Sequence, residues 1–386
     1  MSIHQRLPTE NYPLKVELGA LQTEYRMKIQ FQELSFDVLP KHSHLSLCKF
    51  FDSFSHGHVK YSPTKELEME YIEKFHQAYP SNNDQLGSNV LSVLKDFNFS
   101  PTVASQNFLA KPPVEWANYG DTAIYCNLFS KGVQIAFKGL QDKKWSASQL
   151  LYFAGFWRFF IANVRKNEAA NEFGVIKQDP IHEDAHYFTP LASKKYSYAL
   201  KFIKEKQVTK TYQSVEAYDE RSKKDNTCLK RRCYETDYCS ELTLKRVVVG
   251  RIGNKAIPLT ETWIKYDALS KHIITDHNPS TDCWVHPSED TIPIVLPYIE
   301  ALILKAIKGD LSVIPKIHWW YIHLAPVIRG PGGTIELVIH ALCQLNGVNL
   351  PEWKEGVAPS IEVLLSDDEN EFCKNYHLLF ESPLPF

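Results

Sequence analysis

Helical periodicity is clearest in the last hundred residues. Ile335, Val338, Ile339, Leu342 and Leu345 recur at steps of three and four, predicting one buried stripe on a helix over Thr334–Leu345 that stops at Asn346-Gly347. Pro297–Lys308 predicts a helix opened by proline and closed by Gly309. Val313–Leu324 predicts an aromatic helix, and Ser366-Asp367-Asp368-Glu369 reads as a capping box opening a helix to about Phe380. Earlier, Leu67, Tyr71, Phe75 and Ala78 share one face of a helix over Glu66–Tyr79, and Asp84–Phe97 predicts another. Ser146 or Ser148 caps an aromatic helix that continues toward Ala169. Lys194–Lys206 predicts a basic helix. Period two appears in part over Arg26–Leu39. Lys245–Ile252 is rich in β-branched residues, and with Gly253-Asn254 and Ala256–Ile264 it predicts a β-hairpin.

These elements predict an α+β, mainly helical protein. An N-terminal mixed α/β region spans 1–115, with Pro112-Pro113 near its end, and a second region spans 116–386. The most apolar run, Leu150–Val164, carries Arg158 inside it and is shorter than the roughly 20 residues needed to span a bilayer, so it predicts a buried helix.

Composition narrows the function classes. With 386 residues, 44% hydrophobic and 23% charged, the chain is globular. A net charge of −2 gives no global attraction to nucleic acid or anionic membrane. Eight scattered cysteines make no disulfide framework and point to a reducing cytosol. No positive-then-apolar pattern opens the sequence, so no Sec-type signal is expected. The charged run Asp219–Tyr238 is a solvated loop or, through its basic segment 222–232, a docking patch for an acidic partner.

Four constellations could carry chemistry. His182-Glu183-x-x-His186 has the spacing of a zinc-hydrolase helix, but Pro180 and Pro190 leave barely two helical turns for it. Cys228, Cys233 and Cys239 are spaced more widely than structural zinc pairs. The stretch Arg329-Gly330-Pro331-Gly332-Gly333-Thr334 before a helix suits a phosphate. Its glycines let backbone N–H groups face a ligand, the helix start adds positive charge, Arg329 can clamp oxygens and Thr334 can donate a hydroxyl. The same residues also suit a plain helix–helix turn. Glu336 is a partner for the helix start or a metal ligand. His377 and Glu381 lie four apart, on one face if the helix continues, so the carboxylate could orient the imidazole.

The glycine turn followed some forty residues later by His-x-x-x-Glu resembles the LnaB-type bacterial effector and toxin AMPylases, over roughly residues 313–386. The resemblance implies a nucleotidyl-transfer domain moving AMP from ATP, with Mg²⁺, onto a host protein acceptor that carries a phosphate, with actin as host activator. It implies His377, Glu381 and Thr334 as catalytic residues, Thr334 standing in the family's serine slot. Arg329, Gly330, Gly332, Gly333 and Glu336 would then bind the nucleotide. A weaker resemblance links Gly330–Leu342 and the hairpin to a worn Fic/Fido domain, although Ala325 fills its histidine slot and Gly333 and Glu336 its arginine slots. Both imply a nucleotide phosphate at the same turn, and the first implies a secreted bacterial effector in the host cytosol. A host-protein-binding adaptor and a zinc hydrolase at His182/His186 are the alternatives.

Overall fold

A computed structural model describes residues 65–78, 90, 92–93, 123–165, 167, 169–177, 188–191, 196–203, 213–214, 241–267, 272–273, 282–354 and 357–386. Within them the protein is mainly helical with one antiparallel sheet, as the hydrophobic pattern predicts. The helices are α1 (Lys65–Ala78), α2 (Ala123–Asp142), α3 (Ala147–Val164), α4 (Ser197–Phe202), α5 (Ile292–Ile307), α6 (Ile314–Leu324), α7 (Pro331–Leu345), α8 (Pro359–Leu364) and α9 (Glu369–Asn375). The strands are β1 (Phe188–Pro190), β2 (Gln213–Ser214), β3 (Glu241–Ile252), β4 (Lys255–Asp267), β5 (His272–Ile273) and β6 (Cys283–Val285), in the order β1-β6-β4-β3-β2 with β5 on β4.

α3 sits at the centre because it is apolar all round, and a helix of that kind must be enclosed. Ser146 caps it with a complete capping box: its side chain accepts from the Gln149 amide, and Gln149 reaches back to the Ser146 amide. α2 and α7 pack on it, and α5 and α6 pack on α7. α1 joins the same core through Ile72 and Phe75, and its Glu68 forms a buried ion pair with Lys131 of α2. The β3–β4 hairpin turns at Gly253, which takes the positive φ of 58°, and lies against α6. There Thr260 donates to the His323 carbonyl at 2.8 Å, and the backbone of Gly250 lies under the Trp320 ring.

Several boundaries differ from the sequence expectation. α3 stops at Val164 with Arg165 as its C-cap, and Ala169 takes a left-handed conformation. α5 begins at Ile292 and carries Pro297 inside it, because Pro293 already occupies the helix start. α7 begins at Pro331, so Gly332 and Gly333 lie inside its first turn. Asp368, not Ser366, caps α9 by accepting from the Glu371 amide. That helix ends at Asn375 and continues as a 3₁₀ turn over Tyr376–Leu379. The expected strand over 26–39, the 112–113 boundary, the motif at His182/His186, the loop cysteines and the basic segment 222–232 lie outside the described residues, as does most of Asp84–Phe97.

Candidate functional site

The glycine turn before α7 is built by main-chain ties to the loop after α3. Ile328 N–H donates to the Val175 carbonyl at 2.8 Å, Gly174 N–H to Arg329 at 3.0 Å, and Arg329 N–H to Glu172 at 3.2 Å. The chain then enters the helix through Gly330 at φ 74°, a conformation that glycine adopts without steric cost. A β-carbon there would fall 2.8 Å from the Phe173 ring. Pro331 occupies the first helical position, where its missing N–H costs nothing. The amides of Gly332 and Gly333 are among the first-turn donors that no helical carbonyl can reach.

Beneath this turn lies Arg158, from the middle of α3. Its guanidinium is sandwiched between the rings of Tyr125 and Phe173, at 5.2 and 5.3 Å. Nε and Nη1 are buried and have no hydrogen-bond partner among the described residues. Gly333 is the reason the guanidinium fits, since a β-carbon on it would meet Nε at 2.7 Å and the Tyr125 hydroxyl at 3.0 Å. Arg165 lies over the Tyr125 ring as well, at 5.4 Å. A third arginine, Arg329, is half-exposed at the rim and pairs through Nε with Glu172. Gly330 and Gly333 are half-buried, so the turn meets solvent on its outer side.

On the inner side, Glu336 is enclosed. Its Oε1 lies 3.5 Å from the Ser360 hydroxyl at the start of α8, and burial pushes its carboxyl up to about 7, with the Arg158 charge and the Ser360 hydrogen bond pulling the other way. A β-carbon on Gly332 would fall 2.5 Å from the Ser360 hydroxyl, so this glycine too serves close packing. The arrangement is therefore a buried, under-satisfied cation, a helix start and a rim arginine converging on one turn. The chemistry of such a set is complementary to an anion.

The predicted site residues divide. The structure keeps Arg329, Gly330, Gly332, Gly333 and Glu336 at one place, but changes their roles. The Thr334 hydroxyl donates to the Gly330 carbonyl at 3.0 Å and its side chain is fully buried, so it is spent within the helix instead of facing a ligand. Glu336 is enclosed beside Ser360 and does not sit at the helix start as a dipole partner. Among the described residues no group of three His, Cys, Asp or Glu side chains could hold a metal.

His377 and Glu381 do not share a helical face. His377 lies in the 3₁₀ turn, while Phe380 is extended and bridges to Trp353, and the Glu381 amide donates to the Glu352 carbonyl at 2.9 Å. Both side chains are exposed. Their neighbour Tyr376 is the buried member of the segment, its hydroxyl 3.1 Å from His318 Nδ1. Arg158 was the residue missed. The signal was present, because one arginine inside a fifteen-residue apolar run has to find a partner.

A family model described as "Avirulence protein", AvrB_AvrC, matches residues 123–383, two-thirds of the chain and all of the site just described. The chain belongs to the AvrB/AvrC avirulence protein family. Avirulence protein B of Pseudomonas savastanoi pv. glycinea is 31% identical to it over 121 residues, which is 30% of this chain and 36% of that protein. The chain thus matches about a third of that curated relative's length. This membership corrects the resemblances suggested by the glycine turn and His377-x-x-x-Glu381. The chain is matched as an avirulence protein, not as an LnaB-type AMPylase or a Fic/Fido domain. As an AvrB/AvrC protein it is a bacterial virulence effector, and no described helix is long and apolar enough to cross a membrane.

Proposed function

We propose that this avirulence effector acts inside a host cell on a host protein, and that it does so by holding a phosphate-bearing ligand at the Gly330–Gly333 turn. Family membership supports the setting. The observation that supports the ligand is the Arg158 guanidinium, buried with Nε and Nη1 unpartnered against a helix start. An unpaired buried cation is costly, and an anion that reaches it through the turn relieves that cost. Arg165 and Arg329 beside it suit more than one phosphate. ATP with Mg²⁺ is the form to test first.

The test is calorimetric titration of ATP, with and without Mg²⁺, and of sulfate into wild type and Arg158→Met. Binding by wild type, weakened more than tenfold in a folded Arg158→Met, is the expected result. Equal affinity in the two proteins overturns the proposal. Transfer of AMP to a host protein is the enzymatic part of this reading. Labelled ATP in a host-cell lysate, with and without actin, reads it out directly. Label on no host protein under either condition removes that part and leaves a ligand-regulated binding protein.

A further inference from the structure

Among the described residues, Arg158 is the one cation whose charge acts on the buried Glu336. The groups that face it come from every side of α7. Arg158 approaches from α3 and Ser360 from α8. Tyr376 approaches from the 3₁₀ turn, and Tyr125 of α2 lies beyond Gly333. His340 and Cys343 follow along its own helix, and His318 of α6 stands behind Tyr376. Burial holds His340 and His318 neutral by lowering them to about 3, and holds Cys343 and Tyr376 neutral by raising them, the thiol to about 12. Arg158 is thus the charged partner, and no ion pair joins it to Glu336, since its buried Nε and Nη1 are without acceptors. The same guanidinium underlies the turn at which the ligand is proposed to bind.

We propose that Glu336 takes up a proton when an anion pairs with Arg158 at the turn, and thereby sets the anion affinity of the site. This rests on the reading of the turn as an anion site. Two negative groups compete for one buried cation. While Glu336 is ionised it draws on the Arg158 charge and repels the incoming anion. Once protonated it does neither, and enclosure already favours the neutral form. The coupling is reciprocal: an anion on Arg158 removes the one charge that stabilises the carboxylate, so anion and proton bind together. Affinity therefore rises as the pH falls through neutrality. Ser360 sets the midpoint, because the hydrogen bond it donates favours the ionised carboxylate.

Sulfate is the probe, because its charge does not change over the range used. Its affinity for wild type should fall about tenfold between roughly pH 6 and pH 8, as one coupled proton requires, with proton uptake seen by titrating in buffers of different ionisation heat. Glu336→Gln imitates the protonated acid, so it should bind at pH 8 as tightly as at pH 6, without proton uptake. Ser360→Ala should move the transition to higher pH. Affinity independent of pH in wild type, or a wild-type pH dependence in folded Glu336→Gln, overturns the role of Glu336. Sulfate binding that is lost in Arg158→Met but carries no proton overturns this inference alone. Failure of wild type to bind either sulfate or ATP removes the anion site and this role with it.

Discussion

The Tyr376 hydroxyl lies 3.1 Å from Nδ1 of His318, inside the core, and that bond fixes which residues of the C-terminal segment face inward. Tyr376 also packs edge-on against Trp353, Phe372 and Phe380. With Tyr376 turned in, the adjacent His377 points to solvent. Tyr376→Phe should therefore destabilise the protein by about 1–2 kcal/mol, since it leaves a buried imidazole without its partner. His377→Ala should stay within about 0.5 kcal/mol of wild type, as an exposed substitution does. Urea unfolding of the two variants checks the contrast, and equal losses would contradict the inward–outward assignment.

Arg158→Met gives a less intuitive forecast. The methionine fills the slot between Tyr125 and Phe173 without an unsatisfied charge, and replacing buried charge by apolar volume is often neutral or stabilising. Thermal unfolding of the ligand-free protein should show a midpoint equal to or above that of wild type. A loss of several kcal/mol would mean that the guanidinium holds the fold together, not a ligand.

Gly333→Ala tests the same contact from the other side. Alanine is the better helix former by about 1 kcal/mol, yet its methyl group would meet Arg158 Nε at 2.7 Å. The overpacking should win, with a net loss of about 1–3 kcal/mol by urea unfolding. Stabilisation would show that Arg158 swings aside freely. For the same reason valine at Gly332 or Gly333 would disturb packing against Ser360 and Arg158 and is a poor probe of ligand binding alone.

Acid should weaken the fold through its buried histidines. His318, His323 and His340 are all lowered to about 3 by burial, and His286 well below its usual value, so the unfolded chain binds more protons than the folded one below about pH 6.5. Glu336 acts in the opposite sense. Raised to about 7, it keeps a proton in the folded state that the unfolded chain loses above about pH 4.5, so its contribution to stability is lost as the pH rises through neutrality. The histidines outnumber it, so stability should drop steeply from pH 6.5 toward pH 4.5. His340→Gln should reduce that slope by about 1 kcal/mol per pH unit, read from unfolding free energies at several pH values. An unchanged slope would mean that His340 is protonated in the folded state.

Helices α2 and α8 were not legible in the sequence, whereas α1, α3, α5, α6 and α7, the hairpin and the position of the glycine turn were. Those follow from short-range rules: apolar spacing on α7, the Ser146 cap of α3, and a two-residue turn that needs a positive φ at Gly253. Five of the site residues also fall together, because they lie within eight consecutive positions at the start of one helix. What most of them do depends on packing against other elements. Gly332 and Gly333 look alike in sequence whether they face a phosphate or close packing, and the difference is made by Ser360 and Arg158, which arrive from other elements. Thr334 is spent locally, on the Gly330 carbonyl one turn back. The His377–Glu381 spacing promised a shared face only while the helix lasted. It ends at Asn375 because the enclosure of Tyr376 and the pairing of Phe380 with Trp353 outweigh helix propensity in so short a segment. Arg158 was visible as a charge in a greasy run, but its partners were not. Where a buried charge points is set by packing between distant elements, and local spacing carries no record of that.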